Sequence, residues 1–157
     1  MKVDLNADVG ESYGRYTLGL DEELIPLISS ANIACGFHAG DPVVLEKTVG
    51  ICEKAGTAIG AHPGFPDLQG FGRRNMNLSV KEVKAMMLYQ IGAVDAFLHK
   101  NGGKLQHVKP HGALYNMAAK EESLAKAICE AVLEYDKSLI ILAQSSGALY
   151  KEAVKLG

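Results

Sequence analysis

The sequence predicts an α/β fold in which five parallel strands alternate with helices. Segments with alternating apolar and polar residues predict the strands, and the segments between them have helical spacing and helix-end signals. The order of strand then helix, five times over, is typical of parallel strands joined by right-handed crossovers. A length of 157 residues suits one domain with a substantial core. We therefore expect residues 1–157 to form a single domain.

Polar side chains follow one face of each of the first two predicted strands, residues 2–9 and 30–37. Apolar residues alternate with them on the opposite face, which is the periodicity of a strand. Because parallel strands end at the same edge of a sheet, these polar groups are expected to meet there. The residues concerned are Asp4, Asn6 and Asp8 in the first strand, and Asn32 with His38 in and just after the second.

The third and fourth predicted strands, residues 57–61 and 105–109, bring titratable groups to the same edge. Pro110 cannot donate a ladder hydrogen bond, so it ends the fourth strand and leaves the next residues in a loop. The carboxyl ends of strands are where α/β folds place their chemistry. The groups delivered there are His62 after the third strand, and His107, Lys109 and His111 in and after the fourth.

Helix-end signals place the two longest helices. Asp41 is the expected N-cap of a helix that begins at Pro42 and stops at Gly56. Ser79 and Glu82 have the spacing of a capping box at the start of a second helix, which ends near residue 102. Further helices are predicted over residues 21–28, 121–134 and 146–156, and an apolar fifth strand over residues 139–143.

Charge and composition argue against several classes of function. A net charge of −2 argues against nucleic acid or an anionic membrane surface as the main partner. Early carboxylates do not suit a signal peptide, and no apolar run is long enough to span a bilayer, so we expect a cytoplasmic protein without membrane contact. The three cysteines, Cys35, Cys52 and Cys129, form no paired motif and are expected to be reduced thiols in the interior.

The edge groups could also hold a metal ion. Asp and His at strand ends can form a divalent site with open positions. An ammonium group at Lys109 would repel a cation, so the sequence predicts no obligatory metal. If a divalent ion such as Mg²⁺ is present, Asp8, His38 and His62 are its expected ligands. Neither a P-loop nor a Rossmann dinucleotide motif occurs in the chain.

Four segments of the chain resemble the LamB/YcsF family. In order they are L-N-A-D-V-G-E-S, A-N-I-A-C-G-F-H-A-G-D, A-H-P-G-F-P-D-x-x-G-F-G-R-R and V-K-P-H-G-A-L-Y-N. Four long motifs in the right order make the resemblance specific, and they span residues 5–116. The resemblance implies a role as the A subunit of an ATP-dependent 5-oxoprolinase. That enzyme opens 5-oxo-L-proline to L-glutamate, with ATP as co-substrate and with its B and C subunits as partners.

The resemblance also implies a parallel (β/α) barrel similar to the seven-stranded barrel of polysaccharide deacetylases. Family members continue beyond the fifth βα unit, so this chain, with about five units, would lack the last ones. Five strands cannot close a filled barrel. We therefore expect further βα units, or an association through the edge of the fifth strand that allows a homo-oligomer.

The resemblance suggests roles for the edge groups in binding and opening a lactam. We expect the general base to be Asp8 or His111, and a carboxylate or phosphate to be anchored by Lys109 and Arg73. The expected catalytic set is Asp8, His107, Lys109 and His111, and the expected substrate-binding set is Asp4, Asn6, Glu11, Asn32, His38, His62 and Arg73.

Two other functions remain open. The likeness to deacetylases also suits a metal-dependent hydrolase. The missing nucleotide motif suits a substrate-binding or scaffold protein without catalysis of its own, since an ATP-coupled reaction must bind ATP somewhere.

Overall fold

A computed structural model describes residues 2–157, in which five parallel strands form one sheet. Each strand pairs with the next one along the chain, as in a (β/α) barrel. The predicted α/β class with five parallel strands is confirmed. In chain order the strands are β1 (Asn6–Val9), β2 (Ser30–Ala34), β3 (Ala58–His62), β4 (His107–Val108) and β5 (Ile140–Ile141).

The two longest helices begin where the sequence predicts. The Asp41 carboxylate accepts hydrogen bonds from two backbone N–H groups of the first turn, and Ser79 forms a capping box with Glu82. Both helices end at a glycine in the left-handed conformation. The helices are α1 (Asp21–Leu24), continued by a 3₁₀ turn (Ile25–Leu27), α2 (Pro42–Ala55), α3 (Val80–Asn101), α4 (Gly112–Ala118), α5 (Glu122–Tyr135) and α6 (Ala148–Leu156).

Four of the five observed strands are shorter than the predicted ones, and β3 keeps the predicted length with a shift of one residue. Side-chain alternation continues past the residues that share ladder hydrogen bonds, so periodicity overestimates strand length. This is clearest in β4 and β5, which have two residues each. The short helix α4 begins where the sequence predicts a loop.

The sheet register separates an apolar row from a polar row. Val9, Ile33, Ala61 and Val108 are neighbours across four strands and are buried in the core. Beyond them α3 packs on α5. The preceding residue of each strand points to the opposite face. That face carries the polar row Asp8, Asn32, Gly60 and His107, which are also paired in register.

The three cysteines are free and buried, which confirms the prediction of interior thiols. Burial raises the pKa of Cys35 to about 12, so this thiol is not a ready nucleophile. Within residues 2–157, none of the helices is both long and apolar enough to cross a membrane.

Candidate active site

A glycine in the polar row lets side chains meet across the sheet. Gly60 lies between Asn32 and His107 in the register and has no side chain. The His107 ring crosses that gap, and its Nε2 donates to Asn32 Oδ1 over 2.8 Å. Burial lowers the pKa of His107 to about 4, so this imidazole is neutral at neutral pH.

The buried amide of Asn32 is fully hydrogen-bonded. Its Nδ2 donates to Asn6 Oδ1 over 2.6 Å and to Asp8 Oδ1 over 2.7 Å. Its Oδ1 accepts from Asn6 Nδ2 over 3.0 Å as well as from His107. Both donors and both acceptor positions are therefore used, which fixes the amide orientation and holds the Asp8 carboxylate in place.

Asp8 is the charged centre of the polar row. Its Oδ1 accepts from Lys109 Nζ over 2.7 Å, and its Oδ2 lies 3.3 Å from His62 Nε2. Burial would raise the pKa of Asp8, but the hydrogen bond and charge of His62, with further hydrogen bonds from Lys109 and Asn32, hold it well below its ordinary value. Asp8 is therefore a carboxylate throughout the neutral range.

His62 and His111 face each other with their outer nitrogens held by backbone. His62 Nδ1 donates to the carbonyl oxygen of Lys109 over 2.6 Å, and His111 Nε2 donates to that of Phe71 over 2.9 Å. The two remaining nitrogens, His62 Nε2 and His111 Nδ1, lie 3.0 Å apart. Burial, helped by the charges of His38 and His62, lowers the pKa of His111 to about 4.

His38 and Glu11 complete the cluster from two loops. The His38 ring stacks on that of His111 with centroids 3.6 Å apart, and its Nε2 lies 3.2 Å from Glu11 Oε1. Burial lowers the pKa of His38, although Glu11 opposes the shift. The other ring nitrogen, Nδ1, is buried and has no hydrogen-bond partner among residues 2–157.

A close backbone approach joins these two loops. Gly40 N–H donates to the carbonyl oxygen of Ser12 over 3.1 Å. Gly40 has φ +78°, and a Cβ atom there would lie 2.8 Å from Gly10 O and 2.9 Å from Ala34 O. Only glycine fits this conformation and this space.

The loop after β3 covers the cluster from the other side. Buried Asp67 accepts hydrogen bonds from the backbone of Gly70 and Arg74 and from the Arg74 guanidinium, which fixes the loop that presents the Phe71 carbonyl. Arg73 is exposed, with its guanidinium over the Phe71 ring at 5.8 Å from the centroid.

The structure brings together most of the predicted site residues. Arg73 lies outside the hydrogen-bonded cluster, and exposed Asp4 is joined to it through Ser30, whose hydroxyl donates to Asp4 and accepts from Asn6. Ser30 was not among the predicted residues, although it shares the strand face of Asn32. The residues in mutual contact are Asn6, Asp8, Glu11, Asn32, His38, His62, His107, Lys109 and His111.

Comparison with known proteins shows similarity along nearly the whole chain. The 5-oxoprolinase A subunit of Clostridium beijerinckii is 62% identical over 99% of this chain and 61% of its own length. The protein of the same name from Pyrococcus furiosus is 55% identical over 100% of this chain and 62% of its own length. The chain thus spans about three fifths of the length of these curated relatives.

A solved structure is also similar to this chain. The lactam utilization protein from Thermus thermophilus superposes with a TM-score of 0.97 and 54% identity, covering 99% of this chain and 63% of its own. The model of the LamB/YcsF family matches residues 3–157. By this match and by these relatives, the chain belongs to the LamB/YcsF family.

Proposed function

We propose that this chain carries the strand-edge site of a 5-oxoprolinase A subunit. In this proposal the site opens the lactam of 5-oxo-L-proline to L-glutamate, with ATP as co-substrate and together with the B and C subunits. The observation that carries the proposal is the 62% identity with a protein of that name across 99% of the chain. The partly buried polar cluster at the carboxyl ends of the strands supports it, because α/β folds place their sites there.

Lys109 is the proposed anchor for the substrate carboxylate. Its ammonium group is partly exposed and paired with one oxygen of Asp8, so it can reach a second anion at the open side of the site. A substrate carboxylate on Lys109 would weaken the pairing that lowers the pKa of Asp8. Substrate binding would then make Asp8 a better proton acceptor.

Asp8 is the proposed general base for the attacking water. Its side chain is one-third exposed, and its Oδ2 is free of the pairing with Lys109 and Asn32. The alternative base, His111, has both ring nitrogens engaged, one with Phe71 and one facing His62. The geometry therefore favours Asp8 over His111 for accepting a proton.

The assignment of ATP to this reaction also belongs to the proposal. ATP can activate a lactam, a stable amide, by transferring its terminal phosphoryl group to the carbonyl oxygen with release of ADP. Water then attacks the carbonyl carbon and the ring C–N bond breaks, and a second water releases phosphate to leave L-glutamate. The chain has no P-loop motif. Exposed Arg73, within the loop that covers the cluster, is the proposed second contact for a phosphate or carboxylate.

Calorimetry with 5-oxo-L-proline tests the binding half of the proposal. Lys109→Met is expected to weaken substrate binding by about 10- to 100-fold, because it removes a charge-assisted hydrogen bond. The matched control is Lys100→Met, since Lys100 is exposed and pairs with Glu46 on the surface. If the Lys109→Met variant binds 5-oxo-L-proline as tightly as the unchanged protein, Lys109 is not the substrate anchor. That result would favour a scaffold role for the chain.

A further inference from the structure

Four side chains near the proposed base converge on one point. Glu11, His38, His62 and His111 each place one ligand atom so that all four atoms lie within 4.8 Å of one another. The separations include 3.0 Å between the His62 and His111 nitrogens and 3.8 Å between His111 Nδ1 and Glu11 Oε1. Ligands of a tetrahedral ion with bonds near 2.1 Å stand about 3.4 Å apart. The separations in the cluster, from 3.0 Å up to at most 4.8 Å, bracket that spacing, so small side-chain movements would form a four-ligand site.

The hydrogen bonds of two histidines require a cation between them. Carbonyl oxygens only accept, so His62 Nδ1 and His111 Nε2 both carry hydrogen. In neutral rings the facing nitrogens then both carry lone pairs, only 3.0 Å apart. That contact is repulsive unless a positive charge lies in it. A single proton would serve two of the four ligand atoms, whereas a metal ion would serve all four.

The charge of Lys109 does not oppose an ion here. The ammonium nitrogen lies 2.7 Å from Asp8 Oδ1, so its charge is compensated by that carboxylate. Glu11 adds a second negative charge at the cluster itself. The repulsion between the Lys109 ammonium group and a cation, which the sequence led us to expect, is therefore offset by the carboxylates of Asp8 and Glu11.

We propose that Glu11, His38, His62 and His111 bind one divalent transition-metal ion of the Zn²⁺ class. Three imidazoles and one carboxylate suit such an ion, whereas Mg²⁺ prefers oxygen ligands. The backbone carbonyls that hold His62 and His111 orient the ring nitrogens toward the ion, as partners of metal-bound histidines usually do. Asp8 is not in this set, and its Oδ2 lies 3.3 Å from His62 Nε2. The sequence instead predicts Asp8, His38 and His62 as the ligands. The inference does not depend on the identity of the substrate.

Metal titration of the chelator-treated chain tests this inference. Zn²⁺ followed by calorimetry is expected to bind with a stoichiometry of one. Co²⁺, used as a spectroscopic probe, is expected to give the visible absorption of a low-coordinate nitrogen and oxygen site. Glu11→Gln and His111→Ala are each expected to weaken Zn²⁺ binding by about 100-fold, because the first replaces a charged carboxylate with a neutral amide and the second removes an imidazole.

The exposed histidine His99 supplies the matched control. His99→Ala is expected to bind Zn²⁺ like the unchanged chain, since His99 lies on the surface of α3. Thermal unfolding without metal checks that each variant is folded, and Glu11→Gln alone decides the matter if His111→Ala does not fold. The inference is overturned if no equivalent of Zn²⁺ binds, if Glu11→Gln leaves the affinity unchanged, or if His99→Ala abolishes binding. None of these measurements involves 5-oxo-L-proline, so failure here is separable from failure of the proposed function.

Discussion

Under the proposed function, Asp8→Asn in a complex with the B and C subunits is expected to lower ATP-coupled glutamate formation by about 100-fold or more. A general base contributes about 10²–10⁴-fold to a rate, and an amide cannot accept the proton. The substitution keeps the shape of the side chain, so Asn32 retains a polar neighbour at the same position. Glutamate and phosphate should be measured together, because the loss is expected in the water-dependent step.

Asp136→Asn is the matched control for that result. Asp136 follows the end of α5 and accepts a hydrogen bond from the backbone of Ser138, outside the cluster. Its substitution is expected to leave glutamate formation unchanged. An Asp8→Asn complex that forms glutamate as fast as the Asp136→Asn complex would show that Asp8 is not the base.

Gly60→Ala is expected to destabilise the fold by about 1–3 kcal/mol. A methyl group at this position would overlap the His107 ring, because that ring occupies the space left by the missing side chain. His107 would have to leave Asn32, so a buried amide would lose one of its partners. Thermal unfolding should show the effect as a fall in Tm of about 2–4 °C per kcal/mol.

Gly92→Ala makes the same chemical change in an open position. Gly92 lies within α3, and an added Cβ there would have no neighbour within 4 Å. Alanine favours helix over glycine, so this variant is expected to gain up to about 1 kcal/mol. Equal stabilities of the Gly60→Ala and Gly92→Ala chains would contradict the proposed packing of His107 over position 60.

Local signals predicted the helices better than the strands. Asp41 and Ser79 act on backbone groups a few residues away, so the short-range sequence specifies where α2 and α3 begin. Strand ends depend on the partner strand, which alternation does not reveal, and so β4 has two paired residues where five were predicted. α4 was missed because its first residue is a glycine directly after a proline-containing loop.

The difference between local signals and features that depend on distant parts of the chain also applies to the candidate site. Strand alternation predicted that Asp8, Asn32 and His107 share a face, because their positions follow from pleat and register. The approach of Glu11 and His38 depends on loop geometry, on which strand periodicity carries no information. All four converging residues, Glu11, His38, His62 and His111, were among the predicted site residues, but strand periodicity could not predict that they form one cluster.

The close approach at Gly40 has a consequence for how selectivity could change in this protein. The backbone contact between Gly40 and Ser12 determines how far apart the Glu11 and His38 loops stand. That spacing contributes to the 3.2 Å distance between Glu11 Oε1 and His38 Nε2, which are two of the ligand atoms in the proposed metal site. A substitution at position 40 would therefore force the two loops to shift, and in the proposed metal site it would disturb ion binding without changing a ligand residue.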